Sequence, residues 1–187
     1  MAENAAPIAR DEMKEPVKAS EINPKFKYEL IKLHGSEKLL KCFQCGNCTS
    51  TCPVARYSDT YRPRTILHMA TLGLKDRVLK SETLWLCAAC FTCTDRCPQD
   101  VEVASVIRVL RNLAAEEGIV PQVFKDQCAS VLESGYAYKI PDLRIKKRET
   151  IGLPPLPKGN PESVRKSLKG VPFMKHIEKK GDCNAKQ

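Results

Sequence analysis

Eight of the ten cysteines fall into two runs. The first is Cys42-Phe-Gln-Cys45-Gly-Asn-Cys48-Thr-Ser-Thr-Cys52-Pro53, and the second is Cys87-Ala-Ala-Cys90-Phe-Thr-Cys93-Thr-Asp-Arg-Cys97-Pro98. Both read C-x2-C-x2-C-x3-C-P, and every position of the second lies 45 residues beyond its counterpart. Thr49 and Thr94 match as well, while the flanking segments show no visible repeat. Two intervening residues per step let one short loop set three thiolates on three irons of a cuboidal cluster. The fourth iron is then served from elsewhere, and in two-cluster proteins with this run the Cys before Pro ligates the other cluster. One [4Fe–4S] cluster is therefore assigned to Cys42, Cys45, Cys48 and Cys97, and the other to Cys87, Cys90, Cys93 and Cys52. Zinc prefers two separated pairs of ligands over duplicated three-plus-one runs. Disulfides belong to secreted chains, and the opening MAENAAPIARDEMKEP has no apolar core of a secretory signal.

The loops need slim backbones and firm exits. Gly46 and the Ala88–Ala89 pair let backbone N–H groups approach cluster sulfurs, which tunes the potential. Pro53 and Pro98, with fixed φ and no N–H, are suited to lead into helices. The elements around the loops read as helical. Asn23-Pro24 opens a helix to about His34, stopped by Gly35, with Phe26 and Leu30 on one face, and Leu39-Leu40 forms a short apolar turn into Cys42. Pro63 starts a segment in which Ile66, Leu67, Ala70 and Leu74 share a stripe, with Gly73 near its end, and Val78 and Leu79 continue it. Ser81 caps a turn carrying Leu84, Trp85 and Leu86 into Cys87. Val103, Val106, Ile107, Leu110, Leu113 and Ala114 then mark an amphipathic helix ended by Gly118. A further helix, about Pro121 to Ser134, puts Phe124, Cys128, Val131 and Leu132 on one side. A small βαββαβ protein would need strands beside its cysteine loops, and none is legible. The expected class is all-α: a flexible leader over 1–22, a dicluster domain over 23–135, and an extended, mostly irregular tail over 136–187.

Length and charge bound the rest. The 187 residues suit one domain with extensions. The formal charge is +9, but residues 136–187 hold 13 Lys/Arg against five Asp/Glu, so most of the excess lies there. That segment also holds six of the 13 prolines, and its one helical signal runs from Asn160-Pro161 to Lys169. Pro154, Pro155 and Pro157 predict an extended run. Scattered apolar residues, such as Ile140, Leu143, Ile151, Leu153, Leu156, Phe173 and Met174, suit wrapping over a partner or over the chain's own domain. The aromatic interleaving of a nucleic-acid binder is sparse, so docking on an acidic partner surface is preferred over nucleic-acid binding or simple solubilisation. No stretch is long and apolar enough to span a membrane, and a cytoplasmic setting is expected.

A cluster with four cysteine ligands has no open iron for a substrate, so single-electron transfer is the expected chemistry. There is no dinucleotide fingerprint, no P-loop and no second metal constellation. No catalytic residue is assigned, and donor and acceptor sites are expected on other chains. His34, His68 and His176 stand apart, and His68 reads as a polar helix edge. Cys128 reads as a small core residue, and Cys183 as a surface thiol. Phe43, Phe91 and Trp85 are expected to shield the clusters from water.

At Cys42–Pro53 and Leu84–Val101 (LWLCAACFTCTDRCPQDV) the sequence resembles the C subunits of the soluble CoB–CoM heterodisulfide reductases of methanogenic archaea. The resemblance covers about residues 24–135. It implies an α-helical ferredoxin-like dicluster domain relaying electrons from a flavin-containing, iron–sulfur partner, the A subunit, to a catalytic partner with noncubane clusters, the B subunit. That catalytic partner would reduce the coenzyme M–coenzyme B disulfide, with a [NiFe] hydrogenase or formate dehydrogenase as the ultimate donor. The eight motif cysteines match the family's ligands one for one. The duplicated run alone is shared with iron–sulfur subunits of glycolate and succinate/fumarate oxidoreductases, which form the alternative reading. This sequence has no Cys-Cys dipeptide, so the motif of the noncubane clusters is absent, and no C-x4-C-x2-C module lies upstream.

Overall fold

Asn23 begins the ordered frame by accepting the Lys25 N–H on its side-chain oxygen at 3.0 Å. Helix α1 follows at Phe26–Leu30, burying Phe26 and Leu30. It ends earlier than the expected His34: the chain tightens into turns in which the Leu33 N–H donates to Leu30 O at 2.8 Å and the Ser36 N–H to Leu33 O at 3.1 Å, and the Ser36 hydroxyl donates to the same two carbonyls. The computed structural model describes residues 16–138, 140–157, 159–171 and 174. The leader expected to be flexible lies mostly outside them. Its last residues are held in place: Arg77 Nη2 donates to Glu21 Oε1 at 3.1 Å and to Pro16 O at 3.2 Å.

The chain divides into two compact units, Met1–Ile119 and Val120–Gln187. In the first, a 3-10 turn at Leu39–Lys41 leads to α2 (Asn47–Ser50), α3 (Pro53–Tyr57), α4 (Pro63–Leu72) and α5 (Lys75–Lys80). A second 3-10 turn at Glu82–Leu86 leads to α6 (Thr92–Asp95) and α7 (Val103–Glu116). Among the described residues there is no β-strand. The apolar stripes read from the sequence face a common core, in which Ile66, Leu67, Leu79, Leu84, Ile107 and Leu110 are fully buried. Helix α7 packs on α4 and α5, α1 packs on α4, and the short α2 and α6 lie side by side. Burying each of these large side chains contributes on the order of 1.5–3 kcal/mol, so the long helices form the platform on which both cysteine loops rest.

Pro53 opens α3 as expected. Pro98 does not open a helix: it enters a turn at Pro98–Gln99, and α7 begins five residues later. Asp100, with φ 52 and an ion pair to Lys38, redirects the chain first.

The second unit contains α8 (Gln122–Ser134), α9 (Asp142–Thr150) and α10 (Pro161–Leu168). Within this unit α8 packs on α10, and the Arg165 Nε–H donates to Leu132 O at 3.1 Å. Gly135 and Gly159 permit this crossing, since a Cβ on Gly159 would stand 2.2 Å from Ser134 O. Asn160 caps α10 by accepting the Ser163 N–H at 3.0 Å, as its Asn-Pro signature predicts. Helix α9 corrects the expectation of a single helical segment in this region. Its sequence, DLRIKKRET, is too polar for an apolar stripe to show. Pro141 at its start, Asp142 in its first turn and Lys147 and Arg148 near its end suit the helix dipole instead.

Gly73 carries a sharp constraint. It ends α4 at φ 84 and its carbonyl accepts the Asn23 N–H at 2.8 Å, so a Cβ there would stand 2.1 Å from Asn23 O. Gly73→Ala should cost about 2 kcal/mol or more, whereas Gly152→Ala, at φ 72 in open space, should cost about 1 kcal/mol. Thermal melts of the cluster-loaded protein check this. Equal losses would show that the contact with Asn23 does not matter.

Candidate metal centre

The duplication is conformational as well as chemical. Gln44 and Ala89 have φ 63 and 51, and Gly46 and Phe91 have φ 88 and 61, each pair 45 residues apart. These left-handed residues fold each C-x2-C-x2-C run around a centre, and α2 and α6 follow at the same offset. Non-glycine residues in this region cost on the order of 1–2 kcal/mol each. That cost hides the repeat from the sequence, where Gly46 faces a phenylalanine. Leu39 and Leu84 also hold equivalent places, both fully buried in the turns that enter the loops.

The two matched threonines tie the loops to the long helices. Thr49 Oγ1 accepts the Arg64 N–H at 3.0 Å, and Thr94 Oγ1 accepts the Ala104 N–H at 3.3 Å. Arg64 and Ala104 are the second residues of α4 and α7, whose first N–H groups have no helical partner. Each motif therefore caps the helix that follows it in space.

Burial repeats too. Cys48 and Cys93 are buried, Cys42 and Cys87 are half-buried, and Cys45 and Cys90 are exposed. The two Cys-Pro positions differ: Cys52 is buried and Cys97 half-buried. A small, tight pocket is lined by Cys52, Cys87, Cys90 and Cys93, together with Val54, Tyr61, Pro63, Ala88, Phe91 and Ala104. Thus Cys52 joins the three cysteines of the second run. On the other side, Cys42, Cys45 and Cys48 surround the Gly46 turn, and the Asn47 side-chain amide donates to Arg96 O at 3.4 Å, bringing the stretch of chain before Cys97 against the first loop. Among the described residues, no three His, Cys, Asp or Glu side chains converge closely enough for a single ion. Four soft thiol donors around one pocket suit an iron–sulfur cluster instead, whose ligands each take a different iron.

Electrostatics agree with that chemistry. Burial pushes the Cys93 thiol up to about 11, with the neighbouring cysteines adding to it, and burial raises Cys48 as well. Cys90 goes the other way, because the Thr92 hydroxyl and N–H favour its thiolate. Crowded buried thiolates are unfavourable until a cation compensates them, so binding of iron and loss of thiol protons are coupled. Several N–H groups already point at sulfur: Ala89 to Cys87 at 3.4 Å, Val101 to Cys97 at 3.3 Å, and Gln44 Nε2 to Cys42 at 3.5 Å.

Two contributors were not legible in the sequence. Tyr61, 1% exposed, lines the same pocket as Cys87, and burial drives its hydroxyl far above the usual phenol range, with Cys87 adding to the rise. Arg111 of α7 donates to Leu84 O at 2.9 Å and Cys87 O at 2.8 Å, with its guanidinium over the Trp85 ring. Neither residue sits in a motif, and only the fold brings them to the second loop. Of the expected shields, Phe91 lines the pocket and Trp85 packs against the core, whereas Phe43 is 59% exposed. His34 and His68 are exposed. Cys128 is half-buried, and its thiol is raised by burial. His176 and Cys183 lie outside the described residues.

A helical frame that carries two repeated four-cysteine runs defines a dicluster iron–sulfur electron carrier. Residues 38–101 match the family model described as 4Fe-4S dicluster domain. The chain is 37% identical over 151 residues to the C subunit of the H(2):CoB-CoM heterodisulfide,ferredoxin reductase of Methanothermobacter marburgensis, covering 78% of this chain and 81% of the relative. It is 40% identical over 144 residues to the C2 subunit of the H(2)/formate:CoB-CoM heterodisulfide,ferredoxin reductase of Methanococcus maripaludis, covering 73% and 77%. With an iron–sulfur C subunit of the CoB--CoM heterodisulfide reductase of Methanocaldococcus jannaschii, identity is 36% over 174 residues, 86% of this chain and 92% of the relative. The chain belongs to the family of iron–sulfur C subunits of heterodisulfide reductase. It carries two [4Fe–4S] clusters and transfers electrons as one component of an oxidoreductase complex. Among the described residues, no helix is long and apolar enough to cross a membrane.

Arg111→Lys keeps the charge but loses the planar fork that reaches two carbonyls and the Trp85 face. We expect it to lower stability by about 1–2 kcal/mol with iron content retained. An unchanged melting profile would show that Leu84 and Cys87 find other donors.

Proposed function

We propose that Cys42, Cys45, Cys48 and Cys97 hold one [4Fe–4S] cluster, and that Cys52, Cys87, Cys90 and Cys93 hold the other. The cavity shared by Cys52 with the second run is the observation that carries this reading. Bound in these sets, each cluster supplies a one-electron couple. The residues around them do the remaining work. Buried Cys48 and Cys93 lie at the interior of the paired loops, Tyr61, Val54 and Ala104 keep water from the second set, and exposed Cys45 and Cys90 leave each set one edge at the surface. All four irons of each cluster are taken up by cysteines, so no substrate reaction occurs on this chain.

The chain acts in the cytoplasm, between a flavin-containing partner and a catalytic partner that reduces the coenzyme M–coenzyme B disulfide. A [NiFe] hydrogenase or formate dehydrogenase feeds the flavin-containing partner. The names of the relatives, which join hydrogen or formate to that disulfide, support this reading. The basic segment over 136–187 docks on an acidic surface of one of these partners, with Arg144, Lys146 and Lys147 exposed on α9 as its leading charges.

Iron and acid-labile sulfide should each number about eight per chain, as two four-iron clusters require. Cys97→Ser should abolish the EPR signal of the cluster held by the first run and leave that of the second. Loss of the second signal instead would reject the exchange of the fourth ligands. Reversing Arg144, Lys146 and Lys147 to Glu should weaken co-purification with the partner subunits about tenfold or more at low salt and flatten its salt dependence. Iron content should be unaffected. Unaltered assembly would reject the docking role.

A further inference from the structure

The repeat makes one departure conspicuous. Counting back three residues from Arg64, the N–H that Thr49 holds, gives Tyr61; counting back three from Ala104, the N–H that Thr94 holds, gives Val101. Both are fully buried, but only Tyr61 brings a hydroxyl. Tyr61 and Cys87 line one pocket. We infer that the Tyr61 hydroxyl donates to Cys87 Sγ in the cluster-loaded protein, raises the reduction potential of the cluster held by Cys52, Cys87, Cys90 and Cys93, and so makes the two clusters unequal. Tyr61 is a positioning residue that acts through a ligand sulfur and touches no substrate.

The physical reason is differential charge. A reduced cluster carries one more negative charge, spread partly over its sulfurs, so a hydrogen bond to sulfur stabilises the reduced form more than the oxidised one. Bulk water does not compete for this bond, because Tyr61 is 1% exposed. The ring is held by a braced turn. Tyr61 N–H donates to Ser58 Oγ at 3.2 Å, and the Arg62 guanidinium gathers the carbonyls of Ala55, Ser58 and Tyr61 at 3.1, 2.6 and 2.9 Å. That bracing keeps the hydroxyl aimed at the cavity when electrons arrive and leave. At Val101 the backbone N–H serves Cys97, and the side chain offers no donor. The outcome is a relay with one step biased toward holding the electron.

The inference rests on the ligand assignment proposed above, and the test separates the two. Both midpoint potentials of the full-length, cluster-loaded protein are measured by EPR-monitored redox titration in the wild type, Tyr61→Phe and Cys52→Ser. Cys52→Ser identifies the second cluster's signal by its loss; loss of the first run's signal instead would overturn the ligation. In Tyr61→Phe, with iron still about eight per chain, the second midpoint should fall. The shift expected is about three- to tenfold in the oxidised-to-reduced ratio, or roughly 30–60 mV at 59 mV per decade for one electron. The first midpoint should stay in place. Unchanged midpoints with full iron would overturn the role of Tyr61 and leave the ligation standing. Should Tyr61→Phe load poorly, replacing all five tyrosines by 3-fluorotyrosine keeps the ring and strengthens the phenol as a donor. Because Tyr61 is the one buried tyrosine of the five, the same midpoint should then rise, and no shift would overturn the inference.

Discussion

Crowding sulfur away from water is the constraint on which the rest of the structure depends. Four thiolates gathered in an apolar pocket repel one another and lose hydration, so the set is tolerable only when iron balances the charge. The raised Cys48 and Cys93 thiols express the same penalty on the protein side. Everything around the loops serves to hold the sulfurs in that unfavourable company: the helical platform, the left-handed backbone turns and the N–H groups directed at sulfur. The long helices bury enough apolar surface to stabilise the frame, and the strained turns at Gln44, Ala89 and Phe91 draw on that stability.

Duplication bears on the problem of the fourth ligand. A loop with three cysteines spaced by two residues surrounds a cluster on one side only, and the contact of α2 with α6 sets two such loops side by side, which supports the proposed exchange of fourth ligands. Thr49 and Thr94 tie the loops to the helices beneath them by capping α4 and α7. Inequality then enters at single positions. Cys52 is more buried than Cys97, Arg111 braces only the second loop, and Tyr61 faces only the second set. A symmetrical pair of sites would have no preferred direction; these departures supply one.

The second unit follows a different logic. Its helices α8 and α10 meet through glycines and side-chain to carbonyl bonds, and none of their residues is buried. With few apolar residues turned inward and a strongly basic composition, it offers charge where the first unit offers cofactors. Composition and packing mark different points along the chain: charge changes near residue 136, and packing partners change at Ile119.

By itself the sequence determined the chemistry and the class of frame. Thiolate spacing is a local property of the chain, so the two C-x2-C-x2-C-x3-C-P runs declared iron–sulfur clusters without reference to any fold. Helical stripes such as Val103 to Ala114 are likewise periodic and local. The tertiary structure decided what depends on meetings between distant segments. It brought Tyr61 and Arg111 to the second loop, left Phe43 in solvent, delayed the helix after Pro98 and revealed that Gly46 and Phe91 share one backbone conformation. No spacing rule reaches such features, because a hydrogen bond or a strained turn is set by the surrounding packing, while a ligand motif is written in the chain itself.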